Sequence, residues 1–306
     1  MTPSTRLLRR TSRRTVLADR AATVVLWATG CFVLLILGGI VVHFALAAAK
    51  VVSPSFIFGD PSSTALGGVL PLLWNSVYML VLAMLIAVPV GILGGIYMSE
   101  YAGDNRITGT IRFAQEAVSS VPSIVVGLFG LILFVDYFHF GFTALGGAFA
   151  LTLFNLPLMT RLAEQALRAV PQDERSASLA LGATKWQTIL HVVLPLAIPG
   201  LVTGVILTAG RVFGEAAVLL FTAGMSTPVH YDFLHFSLTD QSSPWSPFRP
   251  ATTLSVYIYS LQSEGLSAFK DQIVDGSAAI LISMVFVFNL GARLLGRLLT
   301  RRLTAA

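Results

Sequence analysis

Arg211 and Glu215 lie four residues apart in Thr208-Ala-Gly-Arg-Val-Phe-Gly-Glu-Ala-Ala-Val-Leu-Leu-Phe221, a stretch otherwise free of charge. A lone charge at the bilayer centre costs at least about 2.5–3.5 kcal/mol on insertion scales, so ionisable residues retained there usually mark pathways. On one helix an i, i+4 spacing puts both side chains on a shared face, where they can neutralise each other. Gly210 and Gly214 offer so little surface that a second helix can approach closely. Two readings follow: an anion-handling charge on a translocation path, or an ion pair that only joins two helices. A guanidinium suits the first, because its fork of donors matches the oxygens of an oxyanion and stays charged at any relevant pH. Conduction also needs binding weak enough to release. Glu215 can supply that weakness by competing for Arg211, a partner exchange as the path opens.

The elements that must position this pair are membrane helices. Of 306 residues, 55% are hydrophobic and only 11% charged, against about 25% charged in soluble domains. Apolar runs long enough to span, at about 17–25 residues each, lie near 22–49, 69–98, 121–138, 142–160, 196–224 and 273–292. The runs are continuous rather than alternating, which excludes a β-barrel. The expected fold is all-α, with six transmembrane helices. Sixteen Lys and Arg flank one side of these spans, from Arg6 to Arg20, at Arg106 and Arg112, from Arg161 to Lys185, and from Arg293 to Arg302; three flank the other. The positive-inside rule then places both termini in the cytoplasm. The net charge of +5 reflects topology and anionic lipid, not nucleic-acid binding.

The run from 22 is too long for a cleaved signal core and reads as a retained first helix behind a basic arm, residues 1–20; residues 21–306 are expected to form one membrane domain. Cys31 is the only cysteine, so no internal disulfide or cysteine metal site exists. Asp136 and His139 lack further ligands and read as a solvated turn. Pro89, Gly91, Gly94 and Gly95 fall inside the second span, where neighbouring helices can satisfy the backbone. Residues 106–118 carry Ile107, Ile111, Ala114 and Val118 at helical spacing, an interfacial lead-in to the third span. The long 225–272 segment holds Pro244, Pro247 and Pro250, which exclude a regular helix there. Residues 252–269 can form a surface helix. An external lid or docking surface and an unstructured connector both fit this segment.

Between spans four and five, about 165–197, the chain is densely signposted. Pro171 suits a first helical position, Asp173 and Glu174 complement the helix dipole, and Gly182 suits a left-handed stop. Thr184 with Gln187 makes a capping box for a second helix. Ser176, Ala177, Ser178, Ala180 and Ala183 keep the unit small-surfaced, fit for a groove on another protein.

Ser176-Ala177-Ser178, then Gly182, Val192 and Leu194-Pro195, resemble the EAA loop of ABC importer permeases. The family's leading Glu is Ser176 here, with Glu174 two residues upstream. That resemblance implies a type I ABC importer transmembrane fold with a cytoplasmic coupling helix. It assigns ATPase docking to Glu174, Ser176, Ala177, Ser178, Leu181 and Gly182. Leu181-Gly-Ala-Thr-Lys-Trp186 and Arg211-Val-Phe-Gly-Glu-Ala-Ala-Val-Leu-Leu-Phe-Thr222 further resemble the PstA-type permeases of phosphate-specific importers. This implies that Arg211, Glu215 and Arg161 line a phosphate path in a bacterial inner membrane. It also implies a PstC-like second permease, a PstB-like ATPase dimer using ATP and Mg, and an external PstS-like phosphate-binding protein. The chain contains no Gly-x4-Gly-Lys-Ser/Thr loop and no nucleophile–base arrangement, so it is expected to bind no cofactor and catalyse nothing itself. Alternatives are a permease for another oxyanion or solute, or a proton-coupled carrier working through Glu215.

Overall fold

The computed structural model describes residues 13–62, 66–103, 105–226, 230–264 and 269–304. Arg6, Arg9 and Arg10 of the basic arm and Asp104, in a stretch whose composition predicts a turn after the second span, lie outside the described residues. The regular structure among the described residues is all helix: α1 Arg13–Ala48, α2 Pro54–Phe58, α3 Leu70–Ile96, α4 Arg106–Ser120, α5 Ser123–Gly130, α6 Ala144–Arg168, α7 Gln172–Ala180, α8 Lys185–Thr188, α9 Leu194–Phe213, α10 Ala217–Thr222, α11 Leu254–Glu264 and α12 Lys270–Thr304. Single π-helical segments extend α3 to Tyr101, extend α5 to Tyr137 and join α8 to α9.

Five of these helices are long and apolar enough to cross a membrane: Thr15–Ala48, Leu70–Tyr101, Ala144–Arg168, Lys185–Phe213 and Lys270–Leu298. The sixth expected span is a bent pair, Arg106–Ser120 and Ser123–Tyr137, which turns through 99°. Pro122 at this corner places Val121 in extended backbone, as the residue before proline prefers. The lead-in helix and the third span therefore meet almost at a right angle.

Helices α3 and α6 run parallel and form the central contact. A Cβ on Gly91 would lie 2.4 Å from the Met159 side chain, and one on Gly95 would lie 2.5 Å from Ala163. Helix α9 runs antiparallel along α6, with Gly204 beside Leu162 and Thr208 beside Met159. Side chains from α3, α6, α9 and α10 close one core around Met79, Leu151, Phe154, Phe213 and Leu219. Helix α1 packs against α12 and leaves Trp27, Leu35 and most of its apolar surface exposed.

The expected boundary between a cytoplasmic helix and span five is not observed. Helix α8, its π turn and α9 form one run, with Pro195 in the first turn of α9. Proline lacks the N–H that an unbroken ladder needs, and the π turn just before it is where the bonding register shifts. The 225–272 segment is not an unstructured connector either. Its described part is ordered, and α11 begins within the core at buried Leu254 and Val256 rather than on the surface.

Candidate functional site

The fifth span does not run through to 224. Helix α9 stops at Phe213, and α10 starts at Ala217. Across the gap the Glu215 carboxylate folds back and accepts from the N–H groups of Ala217 (3.2 Å) and Val218 (3.4 Å). Ser255 donates to the Glu215 carbonyl oxygen at 3.0 Å. These bonds satisfy backbone groups that a helix terminus would otherwise leave bare in an apolar setting. The expected i, i+4 ion pair is therefore absent; local capping outcompetes it. Arg211, half-buried in the last turn of α9, lies over the ring of Phe154 with its guanidinium carbon 4.2 Å from the centroid. Among the described residues it has no ion-pair or hydrogen-bond partner. Cation–π attraction orients a guanidinium but leaves its N–H donors unused.

Arg161 lies seven residues beyond Phe154 on α6 and meets Glu116 of α4 loosely, at 3.6 Å, with both side chains more than half exposed. Next to it the arrangement tightens. One oxygen of Glu164, a side chain only 9% exposed, lies 2.9 Å from Arg112 of α4 and 3.1 Å from Arg168. These groups line a cavity of about 240 Å³ between α4 and α6, with Gln115, Ser119, Pro157 and Gln165. The structure thus places Arg211 of α9 against Phe154 of α6, seven residues before Arg161 on that helix. It puts Glu215 in a capping role, and it adds Glu164 with Arg168, an i, i+4 pair on α6, and Arg112, whose pairing with Glu164 across 52 residues no local pattern reveals.

The 165–197 unit has most of the expected local chemistry, but Pro171 stands just before the first helical position rather than in it, since α7 starts at Gln172. Asp173 and Glu174 occupy the first turn of α7, and Gly182 stops the chain at φ +84°. Thr184 and Gln187 cap α8 reciprocally. Glu174, Ser176 and Ala177 are exposed and Ser178 is half-buried, while Leu181 projects with 90% of its surface open. Ser178 meets Thr188 of α8 at 2.9 Å. What holds the unit is Arg175, which escapes the sequence reading. Its guanidinium donates to Glu100 Oε1 at 2.9 Å and to the carbonyl oxygens of Leu167 (2.8 Å) and Val170 (2.5 Å). Lys185 adds a bond to the Glu100 carbonyl oxygen and covers the Tyr101 ring at 4.7 Å. One arginine thus ties α7 to the ends of both α3 and α6.

At the opposite end the 230–253 lobe is fastened to the start of α3. Trp74 donates to the Pro244 carbonyl (3.0 Å), Asn75 to Thr252 (2.9 Å) and Tyr78 to Trp245 (2.7 Å). Arg249, read from sequence as an external charge, is fully buried. It donates to the carbonyls of Pro244 (2.7 Å) and Pro250 (3.0 Å) and to the Tyr231 hydroxyl (2.6 Å). Burial pulls its pKa down, and Tyr231 and Tyr78 oppose the fall.

Residues 87–305 match the family described as binding-protein-dependent transport system inner membrane component. The chain is 44% identical over 290 residues to the probable ABC transporter permease protein YqgI of Bacillus subtilis, covering 94% of this chain and 98% of the relative. It is 34% identical over 236 residues to phosphate transport system permease protein PstA 1 of Mycobacterium tuberculosis, covering 77% and 73%. With PstA of Haemophilus influenzae the identity is 33% over 239 residues, covering 78% and 79%. A crystal structure of a bacterial alginate ABC transporter, in complex with an alginate pentasaccharide-bound periplasmic protein, shares the fold with a TM-score of 0.65. The identity is 14%, over 95% of this chain and 98% of that one. The helical arrangement and the match along most of its length agree: the chain belongs to the binding-protein-dependent transport system inner membrane components, the permease subunits of ABC importers.

Proposed function

We propose that this permease carries inorganic phosphate, forming half of the translocation path of an ATP-driven importer in a bacterial inner membrane. The observation that carries the reading is Arg211: a guanidinium within a membrane span, oriented by Phe154 and without a partner among the described residues. A charge kept there costs free energy that an arriving anion can offset. Relatives described as phosphate transport permeases at 33–34% identity support phosphate as that anion. Arg161 serves the same path nearer the coupling end. Glu215 keeps the mouth of α10 closed around its own carboxylate, so that an anion meets Arg211 rather than the bare N–H groups.

In this reading α7 and Gly182 face the cytoplasm, as do both termini. Glu174, Ser176, Ala177, Ser178 and Leu181 dock on one subunit of a PstB-like ATPase dimer, which alone binds ATP and Mg. A PstC-like permease completes the path, and a PstS-like protein delivers phosphate at the 225–272 side. Uptake of radiolabelled phosphate by the reconstituted complex tests the assignment. Arg211→Gln should assemble normally and lose at least about tenfold in uptake, the worth of one charge-assisted hydrogen bond or more. Wild-type uptake by an assembled Arg211→Gln complex would reduce Arg211 to a structural role. Transport of sulfate in preference to phosphate would reassign the substrate.

A further inference from the structure

Helix α6 carries more than one arginine toward the same side. Phe154, Arg161 and Arg168 are spaced by seven residues, so each returns to the same face within about 20°. Successive members are roughly 10 Å apart along the axis. Arg211 occupies the level of Phe154. The side chains of Pro157, Arg161, Glu164, Gln165 and Arg168 line the 240 Å³ cavity from α6, and Arg112 and Glu116 line it from α4. Among the described residues this cavity is lined by three guanidiniums and two carboxylates.

We propose that this face is a stepped oxyanion track, and that Arg112, Arg161 and Arg168 form a second anion station between Arg211 and the coupling end. The proposal rests on the reading of Arg211 as a path residue. Glu164 is the positioning residue of the station. One of its oxygens holds Arg112 at 2.9 Å and Arg168 at 3.1 Å, which fixes two long side chains and keeps them from closing on an anion too tightly. Arg161 is the freest of the three, since its pair with Glu116 is long and open. Glu116 can also accept a hydrogen bond from the hydroxyl that inorganic phosphate keeps near neutral pH, a contact sulfate cannot make. Two weak stations roughly 10 Å apart let the anion leave one while it feels the next, as conduction through several sites requires. Screening does not erase this pull, because the spacing is close to a Debye length of about 8 Å and the sites are partly withdrawn from water.

The test uses the assembled importer in proteoliposomes with its binding protein, measuring ATP-driven uptake, thermal stability and inhibition by inorganic phosphate supplied at the coupling side. Arg112→Gln and Arg168→Gln should each lower uptake and weaken that inhibition by about tenfold, the cost of one charge-assisted bond. Glu164→Gln should do the opposite to inhibition, strengthening it while turnover falls, because the station gains net positive charge. If these Gln variants do not assemble, Arg161→Gln, exposed and loosely paired, carries the same inhibition test. Uptake and stability falling together with unchanged inhibition would make the network a helix tie and overturn the station. If the complex carries sulfate instead of phosphate and these substitutions shift sulfate inhibition in the same directions, the station stands and the phosphate assignment falls. Phosphate uptake with unshifted inhibition in every variant would leave the phosphate assignment standing and remove the station.

Discussion

Arg175→Ala should disconnect α7 from the membrane helices without dismantling either. Arg175 and Glu100 have side chains 12% and 8% exposed and meet at 2.9 Å. Removing one partner of a buried pair costs about 3–5 kcal/mol, because the other charge is left uncompensated. Here the lower end applies. A cavity of about 790 Å³ adjoins the pair and admits water, and Ser99 still donates to Glu100 at 3.0 Å. The loss of the bonds to Leu167 and Val170 acts on a different quantity, the stiffness of the link between α7 and α6. Glu100→Gln keeps those carbonyl bonds and gives up only the charge, so its cost should be about 1–2 kcal/mol.

The two variants therefore separate anchoring from charge. Arg175→Ala should lower the melting temperature of the assembled complex and also reduce substrate transported per ATP hydrolysed, with ATPase subunits still bound through the exposed face of α7. Glu100→Gln should shift the melting temperature less and leave the transport ratio near wild type. The double exchange Arg175→Glu with Glu100→Arg should recover part of the stability but not the carbonyl bonds. Wild-type stability and transport ratio in Arg175→Ala would refute the staple. Loss of the ATPase subunits on purification would show instead that Arg175 shapes the docking face itself.

Three further outcomes are expected. Ala177→Glu puts a longer charged side chain on the small-surfaced α7, and pull-down of the ATPase from membranes should fall sharply while the permease remains folded; full recovery of the ATPase would remove docking from this helix. Glu215→Gln preserves an oxygen for the N–H groups of Ala217 and Val218 and should cost no more than about 1 kcal/mol, whereas a loss of about 3–5 kcal/mol would restore the ion pair with Arg211. Arg249→Ala leaves the Pro244 carbonyl to Trp74 alone, takes the side-chain donor from the Pro250 carbonyl and opens a void beneath Tyr78 and Tyr231, so about 3 kcal/mol and faster proteolysis within 230–253 are expected. Unchanged digestion would show that the aromatic contacts of Trp74 and Trp245 hold the lobe alone.

The sequence discloses the helices and the local shape of the 165–197 unit because their signals are local. Apolar runs measure spans directly, and Pro171, Gly182, Thr184 and Gln187 mark ends by chemistry confined to one turn. The sequence hides the joints because each depends on a choice between partners. Glu215 can face Arg211 on a continuous helix or cap a new one, and spacing alone supports both. The capped arrangement wins where Ser255, forty residues away, also holds the Glu215 carbonyl oxygen. Arg249 shows the same limit from the other side. Its charge counts toward topology, yet the fold withdraws it from solvent entirely, using the carbonyls of prolines whose visible signal was only the lack of a helix.

These joints share a physical logic. Two of these joints use an arginine fork to bind several nearby backbone carbonyls at once: Arg175 beside α7 and Arg249 in the lobe. Carbonyls freed near helix ends and prolines are the acceptors in both cases, and a five-donor fork satisfies more of them than any other side chain. Arg211 is the exception, with its donors unspent beside Phe154. An arginine that a membrane fold retains without giving its donors to the backbone needs a partner from elsewhere, and its charge fixes the sign of that partner. Arg211→Lys tests how much of the fork that partner uses. Lysine keeps the charge but loses the planar fork and its stacking on Phe154, so anion transport should fall while stability barely changes. Equal transport by the two residues would mean that only the charge matters, and the orienting role of Phe154 would be withdrawn.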